Sequence, residues 1–183
     1  MDQNKETKLL QGAQRGDKRA IAELYDLHYQ AVYNYIFYRV SDQLTAEDLS
    51  AEVFIRMINK LPGYIDRGRP ILVWLYTIAR NMVIDNHRLM DKKEEIPIKE
   101  ELLEDRIKNP DQQVQDRQTS ECFRSALELL PETQRQLLIY RFINGFSTPK
   151  IIQLLNKSDR AVRSLQHRAL RLLEKVLIEE NCL

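Results

Sequence analysis

Apolar residues recur every three or four positions along the first half of the chain, which predicts amphipathic helices. The carboxylate of Asp17 can cap a first helix. A second helix begins at Thr45 and Asp48, which form a pair resembling a capping box, and it ends at Pro62-Gly63. The inward faces of the two helices are Ile21, Leu24, His28, Ala31, Val32, Tyr35 and Ile36 for the first, and Leu49, Val53, Met57 and Leu61 for the second.

A third helix is expected from Pro70 through about Leu89, because proline fits the first turn of a helix. Its apolar residues surround the axis almost completely: Ile71, Leu72, Val73, Trp74, Leu75, Ile78, Met82, Val83 and Ile84. Such a helix is either buried in a bundle or has a second face for a partner.

The helical pattern stops between Asp91 and Gln118, where nine acidic residues face six basic ones and Pro97 and Pro110 interrupt the chain. We interpret residues 91–118 as an acidic linker, with a helical turn around Glu100 to Ile107. The predicted organisation is a domain at 1–90, this linker, and a second domain at 119–183. A flexible linker of this kind would leave the spacing of the two domains undefined.

The second half returns to helical spacing. One helix is expected from Thr119 to Leu130, and Pro131 begins the next, which Gly145 ends. The inner face of that second helix is predicted to consist of Leu137, Leu138 and Phe142.

The last two predicted helices have the pattern of a helix-turn-helix. Ser147 caps a short helix with Pro149 in its first turn, Asn156 tolerates the left-handed turn conformation, and Ser158 caps the final helix. Their inward residues are Ile151, Leu154 and Leu155, followed by Val162, Leu165, Ala169, Leu172 and Val176. The expected fold class is therefore all-α, with two small helical domains.

Composition supports a helical globular protein, because 43% of residues are hydrophobic, 30% are charged and only 5 are glycine. The net charge is +1, so any basic surface must be local. The polar N-terminus and the lack of a long apolar run lead us to expect no membrane association and a cytoplasmic location. A disulfide between Cys122 and Cys182 is possible, but two isolated cysteines are more often free thiols, which is what we expect here.

The final helix separates its charges from its apolar face. Lys150 to Lys175 contains seven basic and two acidic residues. On a helical wheel, one face carries Arg160, Arg163, Ser164, His167 and Arg171. A basic face on the second helix of a helix-turn-helix favours contact with duplex DNA over the alternative, an ordinary solvated surface.

The third helix combines aromatic, basic and amide side chains, which suit unstacked single-stranded bases. These residues are Trp74, Tyr76, Arg80, Asn81, His87 and Arg88. For Trp74 the favoured alternative is a place in the core. The loop from Pro62 to Arg69, with Tyr64, Asp66 and Arg67, is polar enough to bind a ligand, although such loops usually only connect helices.

Asp48 and Glu52 lie four residues apart beside Glu47, but His28, His87 and His167 are scattered away from them. The sequence has no phosphate-binding glycine loop, nucleophile elbow or zinc-protease motif. We therefore expect no catalytic, metal or cofactor site and interpret the carboxylates as an acidic face for a basic partner.

Three stretches together resemble the extracytoplasmic-function (ECF) sigma factors, a family of RNA polymerase subunits. Residues 46–56, Ala-Glu-Asp-Leu-Ser-Ala-Glu-Val-Phe-Ile-Arg, resemble the region-two signature. Residues 74–81, Trp-Leu-Tyr-Thr-Ile-Ala-Arg-Asn, followed by Asp85 and Arg88, resemble a second region-two motif. Leu130-Pro131 with Arg135, Gly145 with Ser147, and Val162 through Leu173 resemble region four.

The resemblance implies partners and site residues. Core RNA polymerase would bind Glu47, Asp48 and Glu52. The minus-ten promoter element, as a single strand with a flipped base, would contact Tyr64, Arg67, Arg80, Asn81 and Arg88. The minus-thirty-five duplex would contact Arg160, Arg163, Ser164, His167 and Arg171. An anti-sigma factor is a further partner that this resemblance allows, and the acidic linker would run toward the RNA path.

The chain departs from the family pattern at Ala51, where glutamine is usual, and at Lys150 and Ile152 in the helix-turn-helix. Asn156 replaces the usual turn glycine. The alternative function is a stand-alone helix-turn-helix regulator that binds duplex DNA without polymerase. That alternative assigns no role to the Asp48 face or to the helix from Trp74 to Arg88.

Overall fold

The computed structural model describes residues 3–40, 42–94 and 122–182, and within these ranges it contains helices and no strands. In the first half the helices are α1 (Gln3–Gln14), α2 (Lys18–Phe37), α3 (Gln43–Lys60) and α4 (Ile71–Glu94). In the second half they are α5 (residues 122–128), α6 (Glu132–Leu138), α7 (Thr148–Leu155) and α8 (Asp159–Glu179). The all-α prediction is confirmed.

Side-chain caps set where the helices of the first half begin. Asp17 accepts hydrogen bonds from the amides of Arg19 and Ala20, as expected. The predicted start of α3 at Thr45 is wrong, because Asp42 accepts from the Thr45 amide at 2.8 Å and starts the helix at Gln43. That places Asp48 within the helix, where its side chain is exposed.

Helix α1 is an element that the sequence interpretation missed. It packs on α2 through the buried residues Leu10 and Ala13. Its Glu6 is also buried and accepts a hydrogen bond from the Ile71 amide at 3.2 Å, so α1 caps the start of α4. The segment is mostly polar, with Leu10 and Ala13 buried and Leu9 half-buried against the core, so its apolar periodicity is weak.

The end of α6 corrects one predicted core residue. After Leu138 the helix widens into a π-helical turn, Ile139–Ile143, and a π-turn adds a residue to the repeat. The side chains are rotated accordingly, so Ile139 and Tyr140 are buried while Phe142 is 56% exposed. Gly145 then ends the segment with φ of +64°.

The helix-turn-helix geometry agrees with the sequence pattern except at Ser147, which occupies the N-cap position of α7 but makes no side-chain capping hydrogen bond. Asn156 adopts the left-handed conformation with φ of 52°, and Ser158 accepts a hydrogen bond from the Ala161 amide. The inner face of α8 is as predicted except in its fourth turn, where Leu173 is buried and the predicted Leu172 is half-buried.

The prediction of free thiols is wrong. Cys122, at the first described position of α5, forms a disulfide with Cys182, just beyond α8, with Cα atoms 6.0 Å apart. The two cysteines are 60 residues apart in sequence, so only the folding of α5 against α8 could bring them together. The disulfide ties the two ends of the second domain.

The two halves lie in contact, unlike the undefined spacing expected from the linker. The side-chain amide of Asn34 donates to Asn144 at 2.7 Å, and Asn144 in turn donates to the hydroxyl of Tyr76 at 3.4 Å. The rings of Tyr76 and Tyr140 stack with centroids 5.0 Å apart. The predicted helical turn around Glu100 to Ile107 and most of the linker lie outside the described residues.

Candidate nucleic-acid and polymerase interfaces

An aromatic groove lies between the loop after α3 and the first two turns of α4. The rings of Tyr64 and Trp74 approach to 4.4 Å between centroids, and both side chains are half-buried. Trp74 is thus neither fully in the core nor free on the surface. The cavity beside these rings has a volume of about 510 Å³, and its basic lining residues are Lys60, Arg67 and Arg69.

Local hydrogen bonds hold the loop that forms this groove. The Gln14 amide of α1 donates to the carbonyls of Tyr64 at 2.6 Å and Leu61 at 3.3 Å. The Gly68 amide donates to Asp66, and Gly68 has φ of +70°, which glycine adopts without strain. The loop is therefore shaped before any ligand binds.

The groove combines an apolar stacking surface with cationic side chains at its rim. Burial, followed by the charge of Asp66, raises the pKa of the Tyr64 hydroxyl, so this tyrosine stays neutral near pH 7. A neutral aromatic pair flanked by lysine and arginine can accept an unstacked base while the cations contact phosphates.

The predicted minus-ten residues do not form one cluster. Tyr64 and Arg67 line the groove, whereas Arg80 lines a different cavity between the two halves of the molecule. Asn81 and Arg88 are exposed on α4 and line neither cavity. Tyr76, another candidate, is only 4% exposed and packs on Tyr140, so it cannot stack on a base.

The acidic face of α3 is accessible. Asp48 is exposed, Glu47 accepts a hydrogen bond from Gln43 at 2.7 Å, and Glu52 forms an ion pair with Arg56 at 2.7 Å. Glu47 also lies near Tyr29 and Tyr33 of α2, where burial and then nearby groups including Glu47 raise the pKa of each phenol.

A row of aromatic side chains on α2 was missed by the sequence interpretation. Each neighbouring pair in the row is in ring contact, at centroid distances from 5.1 to 6.1 Å. The row consists of Tyr25, Tyr29, Tyr33 and Phe37. Its four-residue spacing was a readable signal, because such positions share one helix face. Tyr25 is 39% exposed, so the row reaches the surface beside the acidic face.

The basic face of α8 is exposed as predicted, opposite the buried residues Val162, Leu165 and Ala169. Its members Arg160, Arg163, Ser164, His167 and Arg171 are all exposed. Arg163 forms an ion pair with Asp159 at 2.8 Å, which holds its guanidinium over the first turn. Arg160 and Ser164 also share a shallow cavity with Thr133, Lys157 and Arg168, which extends the surface beyond the predicted residues.

Across the described ranges there is no group of three or more His, Cys, Asp and Glu residues placed to hold a metal ion. Nor does any described helix have the length and apolar character needed to cross a bilayer.

Comparison with known proteins matches both halves of the chain to sigma-factor models. Residues 24–92 match Sigma-70 region 2, and residues 120–173 match Sigma-70, region 4. The ECF RNA polymerase sigma factor SigD of Mycobacterium tuberculosis is 34% identical over 89% of this chain and 79% of its own length. The chain belongs to the ECF sigma factor family.

Two further comparisons fit this ECF sigma factor. BldN of Streptomyces coelicolor is 32% identical over 94% of this chain, which spans 66% of the BldN length. The structure of CnrH in complex with the cytosolic domain of CnrY matches with a TM-score of 0.62, covering 95% of this chain and 97% of that one at 20% identity. The latter supports the fold.

The residues of this sigma factor that depart from the family pattern differ in their burial. Ala51 is exposed on α3, one residue from Glu52, so the missing amide changes the surface and not the core. Ile152 and Lys150 are half-buried on α7. Lys150 lies close enough to Glu6 of α1 to help lower the pKa of that carboxyl, which places it beside the first half of the molecule.

Proposed function

We propose that the chain binds bacterial core RNA polymerase and directs promoter recognition, DNA melting and transcription initiation. The observation that supports this best is the presence of two different DNA-suited surfaces in one sigma-family chain. The Tyr64–Trp74 groove suits a single strand, and the basic face of α8 suits a duplex. A promoter-opening factor needs both, whereas a duplex-binding regulator needs only the second.

At the minus-ten element, a flipped base would enter the groove against Tyr64 and Trp74, with Arg67 at its rim. The non-template strand would then follow α4 past Arg80, Asn81 and Arg88. The first part of this proposal rests on the shape and aromatic lining of the groove. The second part rests on exposed polar side chains along one helix.

At the minus-thirty-five element, α8 would enter the major groove. Arginine can donate two hydrogen bonds to a guanine edge, and it also contacts phosphates. Arg160, Arg163 and Arg171 would supply these contacts, while Ser164 and His167 would donate to or accept from either type of base pair.

The acidic face formed by Glu47, Asp48 and Glu52 would dock on a basic surface of core polymerase. The aromatic row beside it offers apolar contact area at the same place.

We also propose a non-catalytic role in the cytoplasm, where polymerase acts. An anti-sigma factor would regulate the protein, since RpoE of Bartonella quintana, which shares the fold, forms a complex with the anti-sigma factor NepR.

Permanganate reactivity of promoter thymines tests the proposal, with the protein alone, core polymerase alone, and both together. We expect reactive thymines near the start site only with both, because unstacking costs a few kcal/mol for each flipped base. Specific duplex binding by the protein alone, unchanged by polymerase and without melting, would support the stand-alone regulator instead.

A further inference from the structure

A cavity of about 310 Å³ lies between the two halves, where α2 and α4 face α6. Its charged lining consists of Arg39 and Arg80 from the first half and Arg135 and Glu132 from the second. Three guanidinium groups and one carboxylate thus line the same cavity. His87 also lines the cavity, with its Nε2 atom 2.7 Å from the carbonyl of Arg39.

Two of these arginines keep unused hydrogen-bonding capacity, although Arg39 is buried and Arg135 is half-buried. Arg39 is 3% exposed, donates to the carbonyl of Tyr35 at 2.7 Å and to Glu132 at 3.0 Å, and leaves its buried Nε without a partner. Arg135 donates from Nη2 to the Glu128 carbonyl at 2.8 Å, and its buried Nε is also unpaired. Buried cationic donors normally have partners, so both groups indicate an incomplete site.

The single carboxylate does not balance the cations. Oε1 of Glu132 already accepts from Arg39 and, at 3.3 Å, from the Tyr35 hydroxyl. Burial lowers the pKa of Arg135, and repulsion from the charge of Arg39 lowers it further. An anion in the cavity would relieve that repulsion.

We propose that this cavity binds a phosphate-type oxyanion, which bridges Arg39 and Arg80 of the first half to Arg135 of the second. Guanidinium groups recognise such anions through paired N–H donors. The volume admits inorganic phosphate or pyrophosphate, and an anion bridging both halves would stabilise their contact. The inference does not depend on promoter recognition.

Titration calorimetry of the full chain with sodium pyrophosphate, in a low-salt chloride buffer, tests the site. We expect saturable binding with a stoichiometry of one. Arg135→Gln should weaken it at least about tenfold, because the substitution removes a charged hydrogen-bond donor from the cavity. The matched control is Arg19→Gln, which removes the same charge from an exposed position outside the cavity and should bind as wild type does.

If Arg135→Gln fails to fold by circular dichroism, Arg80→Gln serves as the second variant, because Arg80 is exposed. A short oligothymidylate that displaces pyrophosphate would identify the backbone of a nucleic acid strand as the source of the phosphate. Absence of displacement would identify a free phosphoanion. No binding up to about 10 mM, an affinity too weak for a built site, would overturn the proposal. The proposal would also be overturned if Arg19→Gln lost as much affinity for pyrophosphate as the cavity variants, or if a folded cavity variant bound pyrophosphate as tightly as the wild type.

Discussion

The guanidinium of Arg39 lies 3.0 Å from the carboxylate of Glu132 and joins the two halves of the molecule. The Arg39 side chain is 3% exposed, whereas that of Glu132 is 44% exposed. The arginine also packs over the ring of Tyr35, with its central carbon 3.7 Å from the ring centroid. A buried cation of the first half therefore depends on a carboxylate of the second.

Glu132→Ala should destabilise the contact between the halves by ~1–3 kcal/mol, because it leaves a buried guanidinium short of one partner. Urea unfolding would give the free energy of unfolding, and energy transfer between dyes on α3 and α8 would report their separation. Glu179→Ala, which removes an exposed carboxylate paired with Lys175, is the control. Equal effects of the two substitutions would show that the Arg39–Glu132 pair has no special role.

The free energy of unfolding should fall at acid pH because Glu6 becomes protonated. Burial raises the pKa of this carboxyl, but His28, whose Nε2 lies 3.4 Å from it, together with Lys150 and the Ile71 amide outweigh burial, and the net pKa lies below 4.5. The folded-state pKa is thus depressed, so the ionised carboxylate stabilises the fold above about pH 4.5, and this contribution is lost as the pH falls through the lower value.

Thermal unfolding of wild type and Glu6→Gln across pH 3 to 6 measures this contribution. The wild type should have the higher melting temperature at pH 6, and the difference should shrink below about pH 4.5. Glu23→Gln, whose exposed carboxylate pairs with Lys5, is the control. If the difference in melting temperature between wild type and Glu6→Gln stayed constant over this pH range, the assigned role of Glu6 would be contradicted.

Reduction of the Cys122–Cys182 disulfide should destabilise the second half. The disulfide closes a segment with a sequence separation of 60, for which chain entropy predicts ~4 kcal/mol of stabilisation. We expect dithiothreitol to lower the melting temperature of the wild type. The double variant Cys122→Ser/Cys182→Ser should have the melting temperature of the reduced wild type, with or without dithiothreitol. If dithiothreitol left the melting temperature of the wild type unchanged, the expected stabilisation would be contradicted.

Trp74→Ala should impair promoter opening with polymerase, because stacking on one base contributes ~1–3 kcal/mol. Permanganate reactivity at limiting protein concentration is the measurement. Trp74→Phe, which keeps an aromatic face, should retain most of the opening. If alanine and phenylalanine behaved alike in folded proteins, base stacking at Trp74 would be excluded.

Asp48→Arg should weaken binding to core polymerase, since it reverses the charge of an exposed residue proposed to meet basic side chains. Losing one partner of a desolvated charge pair costs ~2–5 kcal/mol. A pull-down titration with core polymerase would measure the loss. Asp26→Arg, an exposed reversal on α2, is the comparison, and similar losses in both would indicate a general charge effect.

Local sequence patterns predict the helices and their chemistry in most of the chain. The sequence correctly predicts the caps at Asp17 and Ser158, the turn at Asn156 and the basic face of α8. Each of these features depends on residues within a few positions of one another. The family motifs were readable for the same reason.

The features that join distant segments depend on how the helices pack together. Helix α1 is held to the start of α4 by the hydrogen bond that the Ile71 amide donates to Glu6. The pairing of Cys122 with Cys182 depends on how α5 lies against α8. The contact of Arg39 with Glu132 joins residues 93 positions apart. Helical periodicity specifies which face of a segment is apolar, but packing geometry decides which other segment covers that face, and so which polar groups at its edges meet.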